Sequence, residues 1–514
     1  MSAAAELTTA ELTTAELAAA ISATAVSTPA QVRETLSRAN AAAAALRASS
    51  PLDRERWLNA VAETLLVSQE ELAVLADAET HLGLPRLRGE IAGAANSARF
   101  YASVAVDGHY LSASTEKVSD TVTLSRWNTP VGPVAVFGAS NFPFGFGVFG
   151  HDVASAIAAG CPVVVKAHPA HPLLSIRLAE LATAALSEAG APEGTYGLVV
   201  GFEAGLQIVD AAEITSIAFT GSQRAGMAIR DRAAARGVPV FAEMGTVNPV
   251  VVTPAAAATP DQQQAIAAGF VASFTLGAGQ FCTKPGLIFV PAEAAMLTAI
   301  EAETARVAPA QLLTTDIAAH FVRGVEELAE AANVPSAESS DTGLATAQVI
   351  SVTLANLVAG SRLLDECFGP VALVCEYDSI DQVITTLAGL QNSLAASVFT
   401  GADDDQIDAA QSAAVVALLL TKTGRVALNA WPTGVSNTWS QQHGGPWPAT
   451  SRPEATSVGA GALSRFVRPV AIQNASPALL PPFLAADNPW NIPRRINGTY
   501  TPAQSAQPTQ PAEK

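Results

Sequence analysis

The sequence predicts an α/β protein organised around a doubly wound parallel sheet, on three observations. Beyond Pro130, short apolar runs at 134–137, 163–166, 198–200, 217–220 and 238–243 alternate with stretches of helical period near 152–159, 173–188, 203–210 and 223–236. Unbroken apolar runs are what strands buried on both faces look like, and helices of that length supply the right-handed crossovers that make such strands parallel. A second alternating segment runs from Asn248 to about Asn429, which adds a second α/β unit. Residues 112–128 alternate with a period of two at Val118, Thr121, Val122, Thr123 and Leu124, which is the period of a small extended β segment standing apart.

The remaining elements follow in chain order. Residues 5–14 repeat Ala-Glu-Leu-Thr-Thr and lack the basic start of a secretory leader, so they read as an extension outside the fold. From Ser27 to Val106 the period is helical, punctuated by Pro51 and Pro85. One helical stretch is expected over 294–331, and a Gly/Pro/Trp/Ser-rich stretch without period follows from Trp431 to Gly461. Past Thr501 the chain is polar and Pro-rich, the composition of a disordered tail.

Composition removes several classes of function. A chain of 514 residues with 49% hydrophobic content builds large cores over two or three domains. A net charge of -18 with no Lys/Arg cluster argues against nucleic acid and anionic membranes. The longest uncharged run, 127–151 apart from its end, is interrupted by Pro, Gly, Ser and Asn and is no membrane span. Cys161, Cys282, Cys367 and Cys375 form no CxxC pair, which points to reduced thiols in the cytoplasm and away from a zinc site. The histidines show no metal spacing either, so no metal is expected.

The stretch Gly277-Ala278-Gly279-Gln280-Phe281-Cys282-Thr283 is the one the chain is organised around. A helix carrying Ile266, Phe270 and Phe274 on one face is broken by three small residues, leaving a cysteine on a turn. Ligands of doubly wound sheets bind beyond the carboxyl ends of the strands, which singles out Asn141, Lys166, Gly221, Ser222 and Glu243.

In order and spacing, Pro130-Val131-Gly132-Pro133-Val134-Ala135-Val136-Phe137, Ser140-Asn141-Phe142-Pro143, Phe219-Thr220-Gly221-Ser222, Glu243-Met244-Gly245, Gly279-Gln280-Phe281-Cys282 and Glu366-Cys367-Phe368-Gly369-Pro370 resemble the successive signatures of the aldehyde dehydrogenase superfamily. Further runs, among them Lys166-Ala167-His168-Pro169-Ala170-His171-Pro172, Cys282-Thr283-Lys284-Pro285 and His443-Gly444-Gly445-Pro446-Trp447-Pro448-Ala449-Thr450, are similar to its 2-oxoglutarate semialdehyde (2,5-dioxopentanoate) dehydrogenase branch. The resemblance covers roughly residues 30–500. It implies an extension (1–26), an NAD(P)-binding domain (27–111 and 131–245), a catalytic domain (246–463), a small β oligomerisation segment (112–130 and 464–500) and a tail (501–514). A cytoplasmic homodimer or homotetramer is implied, with contacts near 112–129 and 464–472.

The chemistry implied is oxidation of a small-molecule aldehyde to its acid with NADP or NAD. Cys282 is the nucleophile, Glu243 the general base and Asn141 the oxyanion donor. For the cofactor, Gly221, Ser222 and Gly226 form the pyrophosphate turn at a helix start, Lys166 meets the adenosine ribose, and Glu366 and Phe368 hold the nicotinamide ribose and ring. Relatives that prefer NAD place a Glu three residues after the Lys; here that residue is Pro169, which leaves NADP favoured, with His168 or Lys166 facing its phosphate. Thr246 and His151 also depart from the family pattern, the first adding bulk beside the base. Arg452 and Arg465 are candidates for the distal end of the substrate. Alternatives stay open: longer apolar aldehydes, which Phe142, Phe144, Phe146 and Phe149 would suit, or a cofactor-binding relative without turnover. A cysteine hydrolase would need a partner histidine, and no motif places one near Cys282.

Overall fold

The computed structural model describes residues 21, 24–335, 344–401 and 406–503, so the N-terminal repeat and most of the C-terminal tail lie outside the described residues. Four helices come first, Pro29–Ala48, Pro51–Val67, Gln69–Thr80 and Leu84–Asp107. Thr28 with Gln31 and Ser50 with Asp53 close capping boxes at the first two, and each has its proline in the first turn, where the missing N–H has no helical partner to lose.

A hairpin of β1 (Ala113–Lys117) and β2 (Thr123–Pro130) leads into the first parallel sheet. Its strands are β3 (Val134–Phe137), β4 (Val163–Lys166), β5 (Tyr196–Val199), β6 (Ser216–Gly221) and β7 (Val240–Met244). Helices His151–Ala159, Pro172–Glu188, Phe202–Asp210 and Gln223–Ala234 make the crossovers. The order is β5-β4-β3-β6-β7 with every pair parallel, so the predicted doubly wound α/β class is borne out. Both faces are covered. Val134, Val136, Val163 and Val165 pack into the N-terminal helices, whereas Ala135, Val164, Ile217 and Phe219 pack into the opposite cluster.

The second parallel sheet holds β8 (Asn248–Val252), β9 (Pro285–Pro291), β10 (Gln348–Val352), β11 (Val371–Tyr377), β12 (Ser393–Phe399) and β13 (Thr423–Leu428), in the order β10-β11-β9-β8-β12-β13. It is filled the same way, with Val251, Leu287 and Phe289 on one side and Val250, Ile288 and Val290 on the other. A third sheet, β14-β2-β1-β15-β16, adds β14 (Val467–Gln473), β15 (Arg494–Ile496) and β16 (Thr499–Thr501) to the hairpin. The single helix expected over 294–331 is two, Met296–Thr304 and Thr315–Ala332, because Pro309 and a short irregular stretch interrupt it.

From β3 the crossovers run outward one way to β4 and β5, and the chain then returns past β3 to β6 and runs the other way to β7, so the topological switch point lies between β3 and β6. The loop bearing Asn141 and the turn at Gly221 leave the sheet there, where such folds bind ligands. No described helix is long and apolar enough to cross a membrane.

One buried ion pair ties the chain's C-terminal part to this sheet: Arg465 Nη1 donates to Asp152 Oδ1 at 2.6 Å, both side chains almost fully enclosed. Removing one partner of such a pair strands a charge in low dielectric, at a cost of about 3–5 kcal/mol, whereas removing both costs much less. Arg465→Met is therefore expected to lower the thermal unfolding midpoint by more than Asp152→Ala/Arg465→Met together. A double variant less stable than the single would contradict this.

Candidate active site

β7 ends at Met244 and β8 begins at Asn248, so Gly245, Thr246 and Val247 alone carry the chain from the carboxyl edge of the first sheet to the amino edge of the second. Gly245 has no room for a side chain there, since a Cβ would fall 1.9 Å from the Glu366 carboxylate. Glu243 stands just before this joint, 4% exposed, and Cys282 just ahead of β9, the neighbour of β8. Asn248 fastens the two segments: its Nδ2 donates to Cys282 O and Lys284 O, each at 2.9 Å.

The cysteine turn needs small residues. Gly277, Ala278 and Gly279 all take the left-handed region (φ 56, 56 and 70), and a Cβ on Gly279 would stand 2.3 Å from Gly369 O. From the other side Lys284 Nζ donates to Cys367 O, Gly369 O and Val371 O at 2.8, 2.7 and 2.9 Å. That fully satisfied ammonium holds the loop bearing Glu366 and Phe368 against the cysteine turn.

The structure also brings in a residue that sequence reasoning missed. His443 Nε2 lies 3.7 Å from Cys282 Sγ and 2.7 Å from Glu243 Oε1, and one ligating atom from each of the three residues falls within 4.8 Å of the others. The expectation of no histidine near the thiol is therefore corrected. His443 arrives on the irregular segment after Trp431 and is pinned by Thr456 Oγ1, which accepts from its backbone N–H at 2.8 Å, and by Ser457 N–H, which donates to its carbonyl at 2.9 Å. No local pattern announces such a placement; the only signal was the His443-Gly444-Gly445-Pro446 run itself. Ser457 Oγ donates to the other Glu243 oxygen.

Burial acts on these groups in opposite senses. It raises the Glu243 carboxyl, but the facing His443 and the Ser457 hydroxyl outweigh it, and the carboxyl ends below its usual range. Cys282 has no such compensation: burial, then the Glu243 and Glu366 carboxylates, hold its thiol well above the ordinary value. Glu366 is itself raised by burial, in part offset by Lys284.

Asn141 is buried, and its Nδ2 donates to Gln280 O at 2.7 Å, two residues from Cys282. Ser222 caps the helix Gln223–Ala234 by accepting from Ala225 N–H, and Gly226 lets that helix lie on the sheet, since a Cβ would stand 2.8 Å from Met244 Sδ. Gly245 N–H donates to Gly221 O at 3.1 Å, which ties this turn to the Glu243 strand end. Lys166 closes β4 half-buried, its ammonium lowered by burial and without an ion pair among the described residues. His168 accepts from Ala170 N–H and stacks on His171 at 5.3 Å; burial, then His171 and Lys166, holds it well below its usual value. An exposed helix start with free N–H groups at the carboxyl edge of the sheet suits a dinucleotide phosphate.

Two departures and two candidate substrate contacts resolve physically. Thr246 accepts from Leu394 N–H and donates to Asn248 Oδ1, so its bulk is spent on the joint. His151 starts a helix and bonds Tyr101 OH at 2.9 Å; burial, then His443 and Arg465, pushes it down to about 3. Arg465 is committed to Asp152 and Ser155, and Arg452 to Glu454 at 2.7 Å over the Phe241 ring, so neither is free for a substrate.

The model of the Aldehyde dehydrogenase family matches residues 4–446. The chain is similar to the Alpha-ketoglutaric semialdehyde dehydrogenase 2 of Azospirillum brasilense, 37% identical over 486 residues that span 91% of each protein. It is similar also to the Alpha-ketoglutaric semialdehyde dehydrogenase of Acinetobacter baylyi (strain ATCC 33305 / BD413 / ADP1), 36% identical over 464 residues and 87% of each. Among solved structures, the fold matches an NAD-dependent aldehyde dehydrogenase from Sinorhizobium meliloti with a TM-score of 0.73, at 22% identity over 88% of this chain and 90% of that one.

The charge pattern around the thiol has a direct consequence. Cys282 is half-exposed while Cys161, Cys367 and Cys375 are buried, so iodoacetamide modifies Cys282 first. Glu243→Gln and Glu366→Gln each remove a carboxylate that disfavours the thiolate, lowering the thiol pKa and raising the thiolate fraction at fixed pH. Each is expected to speed alkylation at pH 8, read by peptide mass; unchanged or slower rates would contradict the assignment of cause.

Proposed function

The chain belongs to the aldehyde dehydrogenase family, and from that premise we propose that it oxidises 2-oxoglutarate semialdehyde to 2-oxoglutarate, with NADP preferred and NAD also used. The observation that carries the reaction class is the thiol of Cys282 and the carboxylate of Glu243 sharing one buried cleft. The choice of substrate rests on the two relatives at 36 and 37% identity, both named for that activity. Two parallel sheets with separate cores, and a third sheet that packs onto the core of the first and exposes strand faces at β14 and β16 as a subunit contact would need, support a division into cofactor, catalytic and oligomerisation units. Four free cysteines agree with a cytoplasmic homo-oligomer.

In this reading Glu243, with His443 beside it, takes the Cys282 proton, and the thiolate adds to the aldehyde carbon, forming a C–S bond as the carbonyl π pair moves onto oxygen. The oxyanion is met by the second N–H of the Asn141 amide and by the Cys282 backbone N–H. The Gly221–Ser222 turn, Gly226, Lys166, His168, Glu366 and Phe368 would hold NAD(P), which when bound would supply the acceptor for the hydride leaving this carbon. A thioester on Cys282 results. Once its first proton has passed to solvent, Glu243 removes a proton from water, the hydroxide adds to the thioester carbon, and the C–S bond breaks to release the acid and regenerate the thiolate. NADP is favoured because Pro169, exposed three residues after Lys166, offers no carboxylate to repel a 2'-phosphate.

A reduced-cofactor assay over a panel of aldehydes with both dinucleotides tests this. Turnover is expected to be highest with 2-oxoglutarate semialdehyde and NADP and to vanish in Cys282→Ala; retained turnover without the thiol, or a preference for long apolar aldehydes, would contradict it. His443 provides a pH signature. Glu243 must be ionised to act, and His443 is the largest influence offsetting its burial. His443→Phe therefore raises the Glu243 pKa, and the acid limb of kcat/KM moves to higher pH. An acid limb that stays in place would remove His443 from the machinery.

A further inference from the structure

A substrate with a carboxylate at its far end needs a cation near the thiol, and most nearby cations are already engaged. Arg465 is paired with Asp152, Arg452 with Glu454, Arg425 Nη2 donates to Gly434 O at 2.8 Å and to Pro432 O, and Lys284 is saturated by three carbonyls. Arg86, from the first turn of the helix Leu84–Asp107, is placed differently. Its guanidinium carbon stands 5.0 Å from the Phe142 ring centre and 5.1 Å from that of Phe281. The two rings are perpendicular with centres 5.0 Å apart, so they hold the planar cation between them.

Those phenylalanines are the chain neighbours of the reacting groups: Phe142 follows Asn141 and Phe281 precedes Cys282. Arg86 Nη2 donates to Asn141 O at 2.6 Å, which sets the guanidinium beside the amide assigned to the oxyanion. Nη1 is buried and has no partner among the described residues. It lies where a Cβ on residue 277 would stand 2.6 Å away, so Gly277 makes the space it occupies. Glu90, one turn along, acts on it electrostatically but makes no direct ion pair with it. Its Oε1 accepts from Phe144 and Gly145 N–H at 2.8 and 2.9 Å, and no ion pair joins it to Arg86 among the described residues. Burial moreover pushes its carboxyl up to about 7. A guanidinium in this setting has a buried N–H to give and no direct ion-pair partner among the described residues.

We propose that Arg86 binds the carboxylate of an anionic ω-aldehyde substrate, Nη1 donating to it while the rings of Phe142 and Phe281 flank the chain between carboxylate and aldehyde. The proposal deepens the preceding reading and rests on it for the substrate. Aldehydes of equal length without a carboxylate leave the cation unpaired and are disfavoured at this subsite.

The test compares kcat/KM for 2-oxoglutarate semialdehyde with that for pentanal in the wild-type enzyme, Arg86→Gln and Arg86→Lys. Loss of a charged hydrogen bond predicts that the ratio falls about 10- to 100-fold in Arg86→Gln, through KM for the semialdehyde, with partial recovery in Arg86→Lys. A merely structural role, in which Arg86 only holds the Asn141 loop, would lower both substrates together; an unchanged ratio overturns the proposal. If Arg86→Gln does not fold, an unaltered ratio and KM in Arg86→Lys overturns it equally. Should the wild-type enzyme not oxidise 2-oxoglutarate semialdehyde, the substrate reading falls, and the same ratio taken with succinic semialdehyde against butanal still decides the role of Arg86.

Discussion

Three residues, Gly245 to Val247, link the carboxyl edge of one parallel sheet to the amino edge of another, and everything chemical in this protein depends on how short that link is. A strand-end carboxylate and a turn-borne thiol lie on different sheets, yet the link leaves Glu243 facing the ground in front of β9 where Cys282 stands. Its cost is steric: a side chain at residue 245 would displace the Glu366 carboxylate from the space it occupies. Thr246 and Asn248 then use their polar atoms to lock the joint to Leu394, Ala395, Cys282 and Lys284. Rigidity at the joint fixes the thiol and carboxylate relative to one another.

The electrostatics of the cleft set a resting state. Two carboxylates and burial keep Cys282 protonated, while His443 and Ser457 keep Glu243 ionised. A protonated thiol beside an ionised base is a pair awaiting a reason to exchange its proton. In the proposed reaction, an aldehyde and the positive charge of an oxidised nicotinamide would both favour that exchange. Around this pair the buried cations Lys284 and Arg465 serve backbone and ion-pair roles, whereas the half-buried Arg86, held between two aromatic rings, has no direct ion-pair partner among the described residues.

Much of the fold was legible because burial on both faces writes an unmistakable pattern: β3, β4, β8 and β9 are continuous apolar runs, and the helices between them keep a steady period. The edge strands β10 and β13 escaped notice since one face of each stays half-exposed and their sequences are mixed, as in Gln348–Val352 and Thr423–Leu428. Within the site, Cys282 and Glu243 could be placed on a turn and a strand end from local pattern. His443 and Arg86 could not, because each reaches the cleft through tertiary contacts: one from an aperiodic segment 161 residues beyond the cysteine, the other from a helix whose amphipathic pattern says only that it packs. The same limit explains Arg465, read as a candidate substrate contact and found committed to Asp152.

That Cys282 becomes acylated and that Glu243 hydrolyses the product is open to one direct observation. Glu243→Gln, mixed with 2-oxoglutarate semialdehyde and oxidised NADP and quenched in acid, is predicted to carry a 2-oxoglutaryl mass increment on the Cys282 peptide that is absent without the dinucleotide. A modified peptide elsewhere, or none while reduced cofactor still forms at the wild-type rate, would contradict the account at its root.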